Sequence, residues 1–255
     1  MAKPVTPDDE EKTVQRDAQV SMHGPGEEVA RFEDMLLENS RDRGLGKRLR
    51  TRFLLLTIVA RCIQKDPSKD PTLDQVLEQS GTARSTFYTN FKDVEECVTE
   101  VLTLFFEYVA ESRASGAREL SSYQAILDAN SWYCHFFEAN AGLFAAVARS
   151  SKVLKDREDQ NYNWARKVVH VSEKRRGAPF SKAVRKEYEG VVRLLITMTI
   201  EAARERFVLK DKLLVATYRT PSALATALTA IWYRMTVGYE QSPRLPGPPE
   251  SKLPR

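Results

Sequence analysis

The stretch from Pro71 to Phe91, PTLDQVLEQSGTARSTFYTNF, leaves this chain little freedom in how it folds. Thr72 and Gln75 stand at capping-box spacing, T-x-x-Q, in which each side chain satisfies a main-chain N–H at a helix start. Leu73, Val76 and Leu77 face inward from that helix. Gly81 follows as the stop, because glycine takes the left-handed conformation without penalty. A second helix over about 83–90 turns Phe87 inward, and Phe91 closes the unit. The pattern predicts two short helices joined by a tight turn, the second with an exposed surface rich in hydroxyls, Arg and Tyr.

Helical periodicity continues on both sides, with no alternating strand pattern of useful length. One helix runs from about Lys47 to Gln64, with Phe53, Leu56, Val59 and Ile63 on a broad apolar face, and Pro67 ends the region. A long helix over about Asp93–Ser112 carries Val94, Val98, Val101, Phe105 and Val109. Asp93, Glu95 and Glu96 load its first turn with negative charge, which the helix dipole favours, and Gly116 marks its end. Ser121 and Gln124 make another capping box, opening an aromatic helix that Asn140-Ala141-Gly142 breaks. A short helix with Leu143, Phe144 and Val147 follows, then a polar one over about Asp156–Glu173. Two long helices close the chain, over about Ser181–Phe207 and from Thr220 to about Tyr239, with Pro221 at the favoured first helical position.

The fold class is therefore all-α, in four segments. Residues 1–44 read as an extension that is disordered or partly helical, with a short helix over Val29–Leu37. Residues 45–92 form a three-helix unit, 93–241 a larger bundle reached through a connecting helix, and 242–255 a Pro-rich tail. The last two long helices carry apolar stripes suited to a second copy, and a two-fold homodimer is the default assembly.

Charge is unevenly spread although the net is only +4. Residues 1–40 hold four basic and ten acidic groups, whereas residues 41–61 hold seven basic groups against Asp42 alone. A basic cluster just ahead of the paired helices suits contact with phosphates. No apolar run approaches a membrane span, and the polar, acidic start lacks a secretory apolar region, so a cytoplasmic protein is expected. Cys62, Cys97 and Cys134 lie far apart inside apolar patterns and read as reduced, buried thiols. The histidines are dispersed, and the chain lacks HExxH, GxSxG, a P-loop and paired cysteines, so neither an enzyme nor a cofactor is expected.

The paired helices have the layout of a helix-turn-helix, which sets its second helix in the DNA major groove. In combination, the basic first helix, Thr72–Gly81, Arg84–Tyr88 and Phe91-Lys92-Asp93 with Glu95-Glu96 resemble the tetracycline-repressor (TetR) family over about residues 47–100. The resemblance implies an all-α dimer with a DNA-binding head and a ligand-responsive body, joined to its partner through the last two long helices. It implies double-stranded DNA as partner, a small-molecule effector, and repression until that effector binds. By position, Arg84, Ser85 and Thr86 would meet the groove, where Arg pairs with guanine and hydroxyls bond bases or phosphates. Thr89 and Asn90 lie further along the same exposed helix, and Tyr88 would bring its hydroxyl to a phosphate. Thr72, Thr82 and Lys92 would stand near the DNA backbone, with Arg48, Arg50 and Arg52 on its flank. Three positions depart from the family pattern: Thr82 replaces an apolar residue, Ala83 the usual capping Ser or Thr, and Val94 a Lys. Thr82 is the candidate to take over the cap.

In the body, Trp132, Tyr133, His135, Phe136, Phe137 and Phe144 are candidates to line an apolar cavity, with Tyr162, Trp164 and Met198 from later helices. Asn161, Asn163 and His135 would supply polar groups to orient a ligand. The same aromatic stripe also serves as ordinary core. Two other readings stay open: a DNA-organising protein that never responds to a ligand, and a helical binding module with weakened DNA affinity.

Overall fold

The computed structural model describes residues 31–112, 122–147 and 149–241, and every regular element among them is helical. The elements are α1 (Phe32–Arg41), α2 (Lys47–Lys65), α3 (Leu73–Ser80), α4 (Arg84–Asn90) and α5 (Val94–Ser112). They continue with α6 (Ser122–Ala139), α7 (Ala141–Val147), α8 (Ser151–Arg176) and α9 (Lys182–Arg204). A π-helical turn (Glu205–Leu209), α10 (Lys212–Thr217) and α11 (Pro221–Gln241) complete the order. The capping box at Ser121, the helix end at Gly116, the segment before residue 31 and the Pro-rich tail lie outside the described residues.

Three local features differ from the sequence reading. Helix α8 begins at Ser151 rather than near Asp156, because Ser150 caps it by accepting the Val153 N–H at 3.4 Å. Helix α9 gives way to the π turn, which Lys210 closes in the left-handed conformation at φ 57°. Arg206 is buried there, and its guanidinium donates to the carbonyls of Tyr218 (2.7 Å) and Arg219 (3.0 Å), pinning the turn to the start of α11. Helix α10, between them, has no counterpart in the sequence reading.

Residues 32–41 form a helix that packs into the core, where the sequence suggests a short helix over Val29–Leu37. Phe32 and Leu36 are fully buried. The Phe32 ring meets Phe105 edge-on with centroids 5.3 Å apart, and its N–H donates to Asn140 Oδ1 at 2.9 Å. That bond crosses from α1 to the α6–α7 junction and satisfies a donor at the first turn of α1, where no helical partner exists.

One core runs from α1–α5 into the larger bundle, through Ile63, Val76, Phe87 and Phe91 to Phe105, Phe136 and Phe207. A second core joins α8, α9 and α11 around Val169, Tyr188, Val192, Ile196 and Trp232. Its buried polar groups are paired: Ser172 Oγ with Tyr188 Oη at 2.9 Å, and Trp232 Nε1 donating to Thr199 Oγ1 at 2.8 Å.

The end of α2 is locked to the start of α7. Gln64 Nε2 donates to the Ala139 carbonyl at 3.0 Å, and Gln64 Oε1 accepts the Leu143 N–H at 3.2 Å. Gly142 allows this approach, since a Cβ there would stand 2.5 Å from the Gln64 carbonyl oxygen. No described helix is long and apolar enough to cross a membrane.

Candidate nucleic-acid interface and body cavity

The pair α3–α4 forms as its residues direct. Thr72 Oγ1 accepts the Gln75 N–H at 3.3 Å, and Gln75 Oε1 accepts the Thr72 N–H at 2.9 Å. Gly81 takes φ 66°, ψ 18° at the end of α3, a conformation that strains any residue with a Cβ. Val76 and Phe87, both fully buried, hold the two helices against the core.

The outer surface of α4 carries Arg84, Ser85, Tyr88 and Thr89, all exposed, with Thr86 half-buried beside them. Tyr88 is 52% exposed, and its ring meets Phe87 edge-on at 5.7 Å. Thr72 and Lys92 are also exposed. Arg84 Nη2 pairs with Asp74 Oδ1 at 2.8 Å, and both side chains face solvent. Such a surface pair contributes at most about 1 kcal/mol, so Arg84 leaves it easily for a stronger acceptor.

Three expectations at this surface need correction. Thr82 does not cap α4: its hydroxyl lies 2.8 Å from Ser80 Oγ, and the N-cap residue Ala83 offers no side-chain acceptor. Asn90 is buried, not exposed, because its Nδ2 turns back to the Thr86 carbonyl at 2.8 Å. Arg52 is committed inside the protein. Its guanidinium makes a two-pronged pair with Glu100, donates to the Asn90 carbonyl and lies 4.1 Å above the Phe91 ring. Arg52 thereby ties α2 to the end of α4 and the start of α5. Arg48 stands one helical turn earlier on α2 and is exposed, as is Lys47. Arg50 is half-buried, and its Nε has no hydrogen-bond partner.

In the body, a cavity of about 170 Å³ is walled by α5, α6, α7, α8 and α9. Of the expected residues it brings together Tyr133, Phe144, Asn161, Asn163 and Trp164. The others lie elsewhere. Phe136 and Phe137 are core residues, Phe137 stacked on Phe144 at 3.9 Å. Trp132 stacks on Phe136 at 5.0 Å, and Met198 packs between the two cores. His135 Nε2 is 2.9 Å from Ser222 Oγ, linking α6 to α11. Tyr162 is exposed, with the Arg166 guanidinium 5.1 Å above its ring.

Sequence reasoning missed Arg157, Gln160 and Lys167 on one cavity wall and Phe106, Val109 and Ile200 on the other. The first three fall with Asn161 and Trp164 on one stripe of α8, at i, i+3, i+4, i+7 and i+10 from Arg157. That spacing is legible in the sequence, but a polar helix reads as solvated until the elements packed against it are known.

Burial pushes the Cys97 thiol up, and it pushes Cys134 up to about 12. Cys62 is half-buried and also raised, again by burial. Burial likewise raises the Glu33 carboxyl, although Arg61 (3.9 Å) and Arg31 (3.8 Å) pull it the other way. No known family model matches the chain, and no curated protein matches it either.

Proposed function

We propose that this chain is a sequence-specific DNA-binding transcriptional regulator of the tetracycline-repressor kind, dimeric, and a repressor until a small molecule enters its body. One observation carries the reading: α4 is held from behind by Phe87, is turned by Gly81, and leaves Arg84, Ser85, Tyr88 and Thr89 in solvent. A short helix anchored by one buried ring, with Arg and hydroxyls outward, matches what major-groove readout needs. The exposed Lys47 and Arg48 on α2 add charge for the flanking phosphates.

The outer faces of α9 and α11 support the dimer. Leu194 is 71% exposed and Ile231 43% exposed, among small neighbours such as Gly190, Thr197 and Thr226. Two such helices packed on their copies bring two α4 helices to one face of a duplex. Half-sites then fall about 34 Å apart, or a multiple of that, in an inverted repeat. The body cavity gives an effector its place, and the Gln64 lock between α2 and α7 gives a route by which it shifts the spacing of the heads.

Titration of the full chain onto duplex DNA over a range of salt tests this reading. Log affinity should fall with log salt, with a slope of about −0.9 per phosphate neutralised. Arg84→Ala should relax base preference, whereas Tyr88→Phe should weaken all sequences alike. Salt-independent binding, or none, would remove the DNA reading and favour a helical binding module.

A further inference from the structure

We infer that the body cavity takes a small amphipathic acid, a single ring or short apolar chain bearing one carboxylate. The inference rests on the reading of the body as a ligand-responsive unit and adds the chemical class of its ligand. The two walls differ in kind. One is apolar, built from Phe106 and Val109 of α5, Tyr133 of α6, Phe144 of α7 and Ile200 of α9. The other is a single face of α8, where Arg157, Gln160, Asn161, Trp164 and Lys167 follow one another at helical spacing.

Charge sets the sign of the ligand. Two cations line the α8 wall, and none of the described lining residues is acidic. Among the described residues, neither Arg157 nor Lys167 has an ion-pair partner, and Arg157 Nε is buried without a hydrogen-bond acceptor. A buried guanidinium N–H left without an acceptor is costly, and a carboxylate is the geometric match to its planar fork. A cationic ligand would instead meet two like charges. The amides of Asn161 and Gln160 add donors beside them.

Size sets the apolar part. A cavity of about 150 Å³ holds a benzene ring, so about 170 Å³ has room for one ring or its aliphatic equivalent. The ring would lie among Phe106, Tyr133 and Phe144, with its acid arm turned to α8. Lys167 lies ten residues, about 15 Å, further along α8; it is exposed and marks the mouth, where its charge draws in an anion whose carboxylate is held at Arg157.

The test is calorimetric titration of the full chain, without DNA, with phenylacetate, phenylacetamide and phenethylamine as probes. Phenylacetate should bind about tenfold or more tighter than the amide, the advantage of a charge-assisted hydrogen bond over a neutral one. The amine should bind weakest. Arg157→Gln and Lys167→Gln should each erode the preference for the acid, and Arg166→Gln, on the same helix but over Tyr162, should leave it intact. The exposed position of Lys167 keeps the test valid if Arg157→Gln fails to fold. Equal binding of acid and amide, a preference for the amine, or no heat from any probe at about 5 mM, a concentration that reveals affinities of a few kcal/mol, would overturn the inference. A second titration with DNA present judges the effector reading separately. Phenylacetate that binds without altering DNA affinity would sink that reading and leave the ligand class standing.

Discussion

Replacing Gly142 by Ala should destabilise the protein strongly, although the change adds only one methyl group. The added Cβ would lie 2.5 Å from the Gln64 carbonyl oxygen, 2.6 Å from its Cα and 2.8 Å from its carbonyl carbon. These are main-chain atoms in the last turn of α2, so no side-chain rotation relieves the overlap. Comfortable contact needs about 3.5 Å, so the end of α2 and the start of α7 must part by about 1 Å. The two hydrogen bonds of Gln64, at 3.0 and 3.2 Å, then stretch past useful length. Overpacking of this kind costs about 1–3 kcal/mol, and each lost bond adds about 1 kcal/mol. A total of about 3–5 kcal/mol corresponds to a fall in Tm of roughly 9–15 °C for a chain of this size. Thermal unfolding followed by far-ultraviolet circular dichroism reads it directly. A Tm within about 2 °C of the parent would refute the close approach of α2 and α7 and the lock built on it.

Other consequences follow from single positions. Ala83→Ser should supply the cap that α4 lacks, since Ala83 already has extended N-cap geometry (φ −73°, ψ 151°), and should raise stability by about 1 kcal/mol in chemical denaturation. Glu33→Gln should change the pH profile of stability. A carboxyl whose folded pKa is raised holds extra protons when folded, so its effect favours the fold at low pH and is lost as pH rises through the folded pKa. The variant should therefore be the more stable form at neutral pH and lose that advantage in acid; an unchanged profile would contradict the burial of Glu33. With a thiol reagent at mild alkaline pH, Cys62 should react first. Cys97 and Cys134 should stay silent until unfolding, since burial holds both thiols protonated.

The parts of the fold legible in the sequence are those set by near neighbours. Thr72 with Gln75, Gly81 with its helix, and Pro221 after Thr220 each act within four residues, so their pattern carries their geometry. The candidate site splits along the same line. Arg84, Ser85, Tyr88 and Thr89 were legible as the outward face of α4 once Phe87 was known to turn inward. Arg52 was not, because its partner Glu100 lies far along the chain, on α5. A basic residue near a helix start reads as solvated unless that partner is known. Asn90 misled for a related reason: its amide closes on its own helix at Thr86 rather than facing solvent. The cavity was the least legible. Its walls come from five helices, and an aromatic stripe on one helix does not say which rings meet the void and which fill the core. Phe136 and Phe144 show this, since both belong to one aromatic cluster and only Phe144 reaches the cavity.

The proposal that α4 reads DNA is tested most directly by selection of bound duplexes from a randomised pool, using the full chain at near-physiological salt. An inverted repeat should emerge, its half-sites about 10 base pairs apart centre to centre or a multiple of that, and Arg84→Ala should degrade enrichment at defined positions within each half. A pool that stays random after repeated rounds, or a motif unaltered by every substitution on the outer face of α4, would contradict it.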